Sequence, residues 1–295
     1  MSSPINKINL DDENFPHFLR EIPGPPAEIF YKGRLPQKNE IMVAVVGTRK
    51  ATNDGLTLAK RLGYGLAEAG ITVVSGLAFG VDAAAHSGTL LAGGRTIAVL
   101  ANGLEPVQPS AHHGLAEKIL NQDGCIISEF AESGAYYKGL LLERNRLISG
   151  LCVAMVVVEA PIRSGSLSTA RHALNQGREV FVAPGPAGHP NYEGSHMLLR
   201  NGARLVTSAK EILEDLQLEQ ILPTAVGTPT KVGAKIDDET QLAIFKTIQE
   251  AAEPLHIDNI VETTKLDPTI VNQKLTDLML EGLVEERNGK FKVRN

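Results

Sequence analysis

Ile41-Met-Val-Ala-Val-Val-Gly-Thr-Arg-Lys50 is the stretch on which the fold turns. Its apolar run is continuous and mostly β-branched, and it stops at Gly47. A strand with one wet face alternates polar and apolar residues, whereas an unbroken run marks a strand covered on both faces. The same reading applies to Ile41–Val46, Thr72–Ser75, Thr96–Leu100, Cys125–Ser128, Val153–Val158, Glu179–Val182 and Arg204–Val206. Between them, stretches rich in Ala, Leu and Gly predict helices over Gly55–Ala69, Val81–Ala92, Gly114–Asn121, Arg144–Ser149, Ser166–Asn175, Ser195–Leu199 and Ala209–Leu216. Strand–helix alternation with short connections implies an α/β core with a doubly wound, mostly parallel sheet. Ligands of such sheets sit beyond the carboxyl ends of the strands, so the residues just after each strand carry most weight.

Outward from this core, residues 1–40 hold Ile22-Pro-Gly-Pro-Pro26 and Tyr31-Lys-Gly-Arg-Leu-Pro36, too rich in Pro and Gly for regular elements. They predict a short arm packed on the sheet. The core is expected over 41–218 and a linker over 219–236, including Leu222-Pro-Thr-Ala-Val-Gly-Thr-Pro-Thr230. Residues 237–295 predict helices at Asp237–Ala252, Asp258–Thr264 and Asp267–Glu281, with Asp258 and Asp267 as N-caps and Pro268 at the first helical position. A hairpin follows, turning at Asn288-Gly289. Three helices and a hairpin make a small winged-helix domain.

Composition narrows the class. The 295 residues are 43% hydrophobic, 21% charged and 4% aromatic, as in ordinary globular proteins. Cys125 and Cys152 both fall in apolar strand-like runs, which excludes a disulfide scaffold and a cysteine zinc site and points to a reducing compartment. No apolar run approaches a membrane span, and the polar, acidic start at Met1–Asn14 is unlike a signal peptide, so a cytoplasmic protein is expected. The net charge of −5 divides unevenly: −1 over residues 1–40, +2 over 41–205 and −6 over 206–295. Only the middle is basic, and for phosphate binding what matters is where arginines converge.

Three strand ends carry candidate chemistry. Gly47, Thr48 and Arg49 resemble a phosphate cradle, set against a plain tight turn; no Walker loop or complete dinucleotide fingerprint occurs. Ser75, Gly76, Leu77 and Ala78 form a turn into a small-residue helix whose N–H groups could bind an anion. Ser164, Gly165, Ser166 and Thr169 suit either a phosphate or ordinary N-capping. Arg144, Asn145 and Arg146 place two guanidinium groups near the sheet edge. Those arginines either meet an anionic ligand or pair internally with Glu129 and Glu159, each directly after a strand. Asp82 and His86 share a helical face, but without a third ligand they read as a cap and a packed histidine. His112, His113 and His172 read as surface or cap residues. No catalytic serine arrangement, metal or cofactor is expected.

In their order, Gly47-Thr-Arg49, Ser75-Gly-Leu-Ala78 with Asp82 and His86, Thr96-Ile-Ala-Val-Leu100, Ser128-Glu129, Arg144-Asn-Arg146, Glu159, Ser164-Gly-Ser-Leu-Ser-Thr169, Gly177-Arg178, Pro184-Gly185 and Gly202-Ala203 form a recognisable set. The chain resembles the DprA, or Smf, family of bacterial DNA-processing proteins of natural transformation, over about residues 22–215. The resemblance implies an extended Rossmann-like core that binds single-stranded DNA without strong sequence preference, acts as a homodimer, helps load RecA, and turns over no substrate. By matching position, Arg49, Ser75–Ala78, Arg144, Arg146 and Ser164–Thr169 would line the DNA pocket. Gln108-Pro109 and His112 stand where the family usually has Tyr-Pro and Asn, and Leu141 where it usually has Phe; these departures bear on how strongly bases stack.

Two other readings compete. A nucleotide-phosphate hydrolase of the lysine-decarboxylase-like type has a similar sheet edge, but its Pro-Gly-Gly-x-Gly-Thr-x-x-Glu signature is absent and Pro184-Gly-Pro186 is a mere fragment of it. A protein-interaction scaffold would rest on the acidic C-terminal domain: Asp267–Glu281 carries Lys274 against Asp267, Asp277 and Glu281, unlike a basic recognition helix. The winged helix is therefore expected to add little DNA affinity.

Overall fold

The computed structural model describes residues 4–131, 138–218 and 238–293, except 252, 281, 282 and 288. The linker expected over 219–236, the helix start at Asp237 and the hairpin residue Asn288 lie outside the described residues. The chain separates into two compact units, Met1–Thr224 and Ala225–Asn295.

In the first unit the elements run β1 (Asn6–Asn9), α1 (His17–Arg20), β2 (Glu28–Gly33), β3 (Met42–Val46), α2 (Asn53–Glu68), β4 (Thr72–Ser75), α3 (Val81–Leu91), β5 (Thr96–Val99), α4 (His113–Asn121) and β6 (Cys125–Ser128). They continue as α5 (Lys138–Gly150), β7 (Ala154–Val157), α6 (Gly165–Asn175), β8 (Glu179–Val182), α7 (Glu193–Arg200), β9 (Arg204–Leu205) and α8 (Ala209–Asp215). The strands form one sheet in the order β1-β2-β6-β5-β4-β3-β7-β8-β9. From β6 to β9 every pairing is parallel, with Val43 opposite both Val73 and Ala154. The α/β, doubly wound, mostly parallel sheet expected from the continuous apolar runs is therefore the observed one.

The arm differs from expectation. Residues 6–9 and 28–33 are strands, and β2 adds antiparallel to β6 with Phe30 opposite Ser128. Pro25, Pro26 and Pro36 bracket β2 instead of interrupting it, and Gly33, at φ +85, ends it. Proline density marked the turns correctly and hid the short strand between them.

The pleat divides the sheet's side chains into two cores. Met42, Ala44 and Val46 pack with Leu147 and Ile148 of α5, with Leu151 just after it, and with Ala170 and Ala173 of α6. Val43 and Val45 pack on the other face with Ala59, Leu62 and Leu66 of α2, Val81 and Ala85 of α3, and Ile212 and Leu213 of α8. The α2–α3 contact is close because Gly63 and Gly88 face it: a Cβ would fall 2.3 Å from Ala85 O and 2.0 Å from Lys60 O, respectively. Thr52 caps α2 by accepting from Gly55 N at 3.0 Å.

The second unit holds α9 (Glu239–Glu250), β10 (Leu255–His256), α10 (Ile257–Thr264), α11 (Pro268–Leu280), β11 (Val284–Arg287) and β12 (Lys290–Val293). Its antiparallel sheet has the order β10-β12-β11, and its own core includes Ile244, Phe245, Ile260, Leu275, Leu278 and Phe291. Strand β10, two residues long, is too short to show a period in sequence. His256 occupies the N-cap of α10, so Asp258 lies in the first turn instead of capping it. Asp238 caps α9, accepting from Thr240 N and Gln241 N. No helix among the described residues is long and apolar enough to cross a membrane.

Candidate functional site

A cavity of about 430 Å³ opens above the carboxyl ends of β3, β4 and β5. Arg49, Gly76, Ala78, Phe79, Leu100, Ala101, Asn102, Gln108, Pro109, Leu141 and Arg144 line it. Arg49, Gly76 and Ala78, from the loops after β3 and β4, meet Arg144 of α5 on this one surface.

Arg49 is exposed on the loop after β3. Its backbone is held from both sides, because Thr48 N donates to Glu159 O at 2.8 Å and Lys50 N donates to Thr48 Oγ1 at 3.2 Å. Gly47 has a different task from a phosphate cradle: a Cβ there would sit 2.5 Å from Val81 Cγ2, so its bareness lets α3 close on β3.

The Ser75–Ala78 turn is corrected in its chemistry. Gly76 N and Ala78 N donate to Asp82 Oδ2 at 3.1 and 3.4 Å, so these amides are occupied by the protein's own carboxylate. Ser75 is buried and its hydroxyl donates to Val45 O at 2.7 Å. Leu77 adopts a left-handed φ of +54 with its side chain fully buried against Ala98, Leu100 and Leu104. Burial drives the Asp82 carboxyl pKa upward, against the opposing pull of Arg144 and the two amides.

Arg144 forms the cavity floor and is almost completely buried. Its Nη1 donates to Gly76 O at 3.0 Å and to Val99 O, and its charge faces Asp82. Of the internal pairings expected as one alternative, the one to Glu129 is made by Arg146. Arg146 is carried away from the cavity, because two residues along a helix is about 200° of rotation. It pairs with Glu129 in a separate concavity of about 440 Å³ that also involves Glu28, Phe130 and Glu143. Asn145 donates to Gly165 O at 3.1 Å, tying α5 to the start of α6.

The Ser164–Thr169 segment does not line the cavity. Ser164 caps α6, its hydroxyl lies 2.6 Å from that of Ser166, and Thr169 Oγ1 donates to Gly165 O at 3.4 Å. Ser164 serves its own helix as the N-cap acceptor, and Thr169 spends its proton on the helix backbone.

Glu159 follows β7 at the place where the strand order reverses, between β3 and β7, which is the usual ligand crevice of a doubly wound sheet. Here that crevice is filled from within. Glu159 accepts from the Thr52 hydroxyl, Thr52 N at 3.1 Å, Asn191 Nδ2 at 2.8 Å and the Tyr192 hydroxyl at 2.9 Å. Burial alone would raise its pKa, but these donors hold the carboxyl below its ordinary range and Tyr192 is pushed up to about 12. The open cavity is consequently displaced toward β4 and β5.

Two histidines complete the surroundings. His86 is buried, with Nδ1 2.7 Å from Thr96 Oγ1, and burial pushes its pKa down to about 3. Among the described residues no group of three His, Cys, Asp or Glu side chains is arranged to hold a metal. His112, read in sequence as a surface or cap residue, sits at the N-cap of α4, where its Nδ1 donates to Leu77 O at 2.8 Å and its ring packs against Phe79. Phe79 and Leu100–Asn102 were missed as lining residues, although the strand-end rule pointed to both loops. Phe79 directly follows Ser75–Ala78, and a single aromatic residue in a loop carries no periodic signal.

The family model for DNA recombination-mediator protein A matches residues 6–217, and that for the DprA winged helix domain matches residues 228–290. The Smf protein of Escherichia coli (strain K12) is 44% identical over 210 residues, which is 71% of this chain and 56% of that protein. The match therefore spans little more than half the length of that relative. Among solved structures, DNA processing protein A from Streptococcus pneumoniae superposes with a TM-score of 0.68 at 38% identity, covering 72% of this chain and 74% of that one. The Helicobacter pylori protein, described as having a unique single-stranded DNA binding mode, gives 0.64 at 28% identity, covering 74% and 99%. By the motifs, the sheet and these matches together, the chain belongs to the DNA recombination-mediator protein A (DprA) family.

Proposed function

We propose that this protein binds single-stranded DNA through the cavity above β3, β4 and β5, without reading sequence. The observation that carries the reading is the convergence of Arg49 and Arg144 on one concave surface of a chain whose net charge is −5. Arg49, exposed on its loop, contacts phosphate; Lys50 beside it extends the basic rim. Arg144, held by two carbonyls, supplies a fixed positive floor. Gly47, Thr48, Ser75, Gly76, Leu77 and Ala78 shape the loops that present these groups. Asn145, Ser164, Gly165, Ser166 and Thr169 brace α5 against α6, and Arg146 with Glu129 braces its far side. Phosphate contacts of this kind give affinity that falls with salt and ignores base identity.

The remaining steps follow family membership: the protein protects incoming strands in the cytoplasm, hands them to RecA and acts without turnover. Inward use of both carboxylates supports a binding role over hydrolysis, since Glu159 spends both oxygens and Asp82 its Oδ2 on backbone or side-chain donors. A homodimer is supported by the outer edge of β9, an edge strand on which Leu205 is exposed.

Equilibrium binding of a fluorescent oligothymidylate and its duplex counterpart over a salt series tests the reading, with Arg49→Ala alongside. The expected result is a single-strand preference, a loss of affinity with salt, and a slope shallower by about one in the variant. Negligible affinity, or a variant that binds like the parent, overturns it in favour of nucleotide hydrolysis or a scaffold role.

A further inference from the structure

We infer that Phe79 is a fixed stacking platform for one nucleobase at the mouth of the cavity. The inference rests on the reading of that cavity as a single-strand site and names what it grips besides phosphate. Among the described residues lining the cavity, Phe79 alone has an aromatic ring, and it is 48% exposed. A large apolar side chain left in water forgoes its burial energy, so what holds it there bears on its use.

The hold is unusually complete. On the chain before it, Leu77 is fixed in the left-handed region at φ +54, with its side chain buried, and Asp82 grips the amides of Gly76 and Ala78. On the chain after it, Gly80 has φ +78, and a Cβ there would fall 2.4 Å from Thr48 O. Two positive-φ residues thus bracket Phe79, one of them a branched residue that avoids this conformation. The ring is backed by His112 at 4.6 Å between centroids and 57° between planes. His112 is itself locked, because its Nδ1 donates to Leu77 O at 2.8 Å. A ring fixed on one side by a second ring, open on the other and beside two arginines matches what a single strand requires: stacking for the base and charge for the phosphate.

The test compares an oligothymidylate with an abasic oligomer of equal length, which keeps the phosphates and lacks the bases. Phe79→Ala should weaken oligothymidylate binding roughly five- to a hundredfold, leave abasic binding unchanged and keep the salt slope. Arg49→Ala should weaken both ligands and reduce the slope. The chain has no tryptophan, so Phe79→Trp creates a single fluorophore at the platform. Its emission should be quenched by oligothymidylate and not by the abasic oligomer. If Phe79→Ala binds oligothymidylate like the parent, or loses both ligands equally, or if Phe79→Trp does not distinguish them, the stacking role fails. Should Arg49→Ala be silent as well, the cavity reading fails with it; a weakened Arg49→Ala beside an unaffected Phe79→Ala rejects stacking alone.

Discussion

The guanidinium of Arg144 lies across the bare Cα of Gly76: Nη1 takes Gly76 O at 3.0 Å, and a Cβ on Gly76 would stand 2.6 Å from Nη2. Glycine here creates the space in which a buried arginine can meet the β4 turn. Gly76→Ala should push the guanidinium off its carbonyl partners, costing about 1–3 kcal/mol of stability and about tenfold in single-strand affinity. Gly114→Ala, with nothing within 4 Å of the new methyl, should be neutral or slightly stabilising. Chemical denaturation and oligonucleotide titration of both variants read the contrast.

Arg49 and Arg144 should separate cleanly by stability. Arg49 is exposed, so its alanine variant should unfold within about 0.5 kcal/mol of the parent. Arg144→Ala leaves the buried Asp82 without its opposing charge and should lose roughly 3–5 kcal/mol. Equal stabilities in urea titrations would show that Arg144 is not part of the structural core.

His86 makes the fold acid-sensitive in a defined window. Burial lowers its native pKa from 6.5 to about 3, so the unfolded chain takes up the proton first as pH falls. The contribution is therefore intact above about pH 6.5 and drains away between 6.5 and 3, amounting to roughly 3–5 kcal/mol at the acid end. His86→Gln should flatten the stability profile across that window, measured as the urea midpoint from pH 7 to 4. A parent-like slope in the variant refutes the assignment.

Lys274, the basic residue expected on the recognition helix, is paired with Asp238 at 2.8 Å and Asp277 at 3.5 Å. Removing residues 232–295 should therefore change single-strand affinity by less than tenfold. The first unit has its own cores, so the shortened chain should stay folded. A larger loss would assign the winged helix a direct role on DNA.

Much of this was legible in the sequence because its signals are local. Continuous runs such as Val43–Val46 place strands within a residue of their observed ends, and Gly47, Gly76 and Arg144 stood out by their position after strands or beside apolar pairs. The missed β2 shows the limit: its Gly33 and flanking prolines look like loop until β6 is there to pair with it. Phe79 and His112 show another, since residues 33 positions apart in sequence become a ring pair only when the loops after β4 and β5 fold over one cavity.

The sequence by itself determined the doubly wound core, the winged-helix unit and the strand ends at which a ligand would be met, because hydrophobic periodicity and turn chemistry act over a few residues. The tertiary structure alone decided how the polar groups at those ends are spent. Glu159 closes the switch-point crevice with Thr52, Asn191 and Tyr192, Asp82 takes the amides that looked free, and Ser164 caps its own helix. Hydrogen-bond partners are chosen by proximity between distant segments, and buried donors and acceptors must all find one; which groups remain for a ligand is settled only after the chain has satisfied itself.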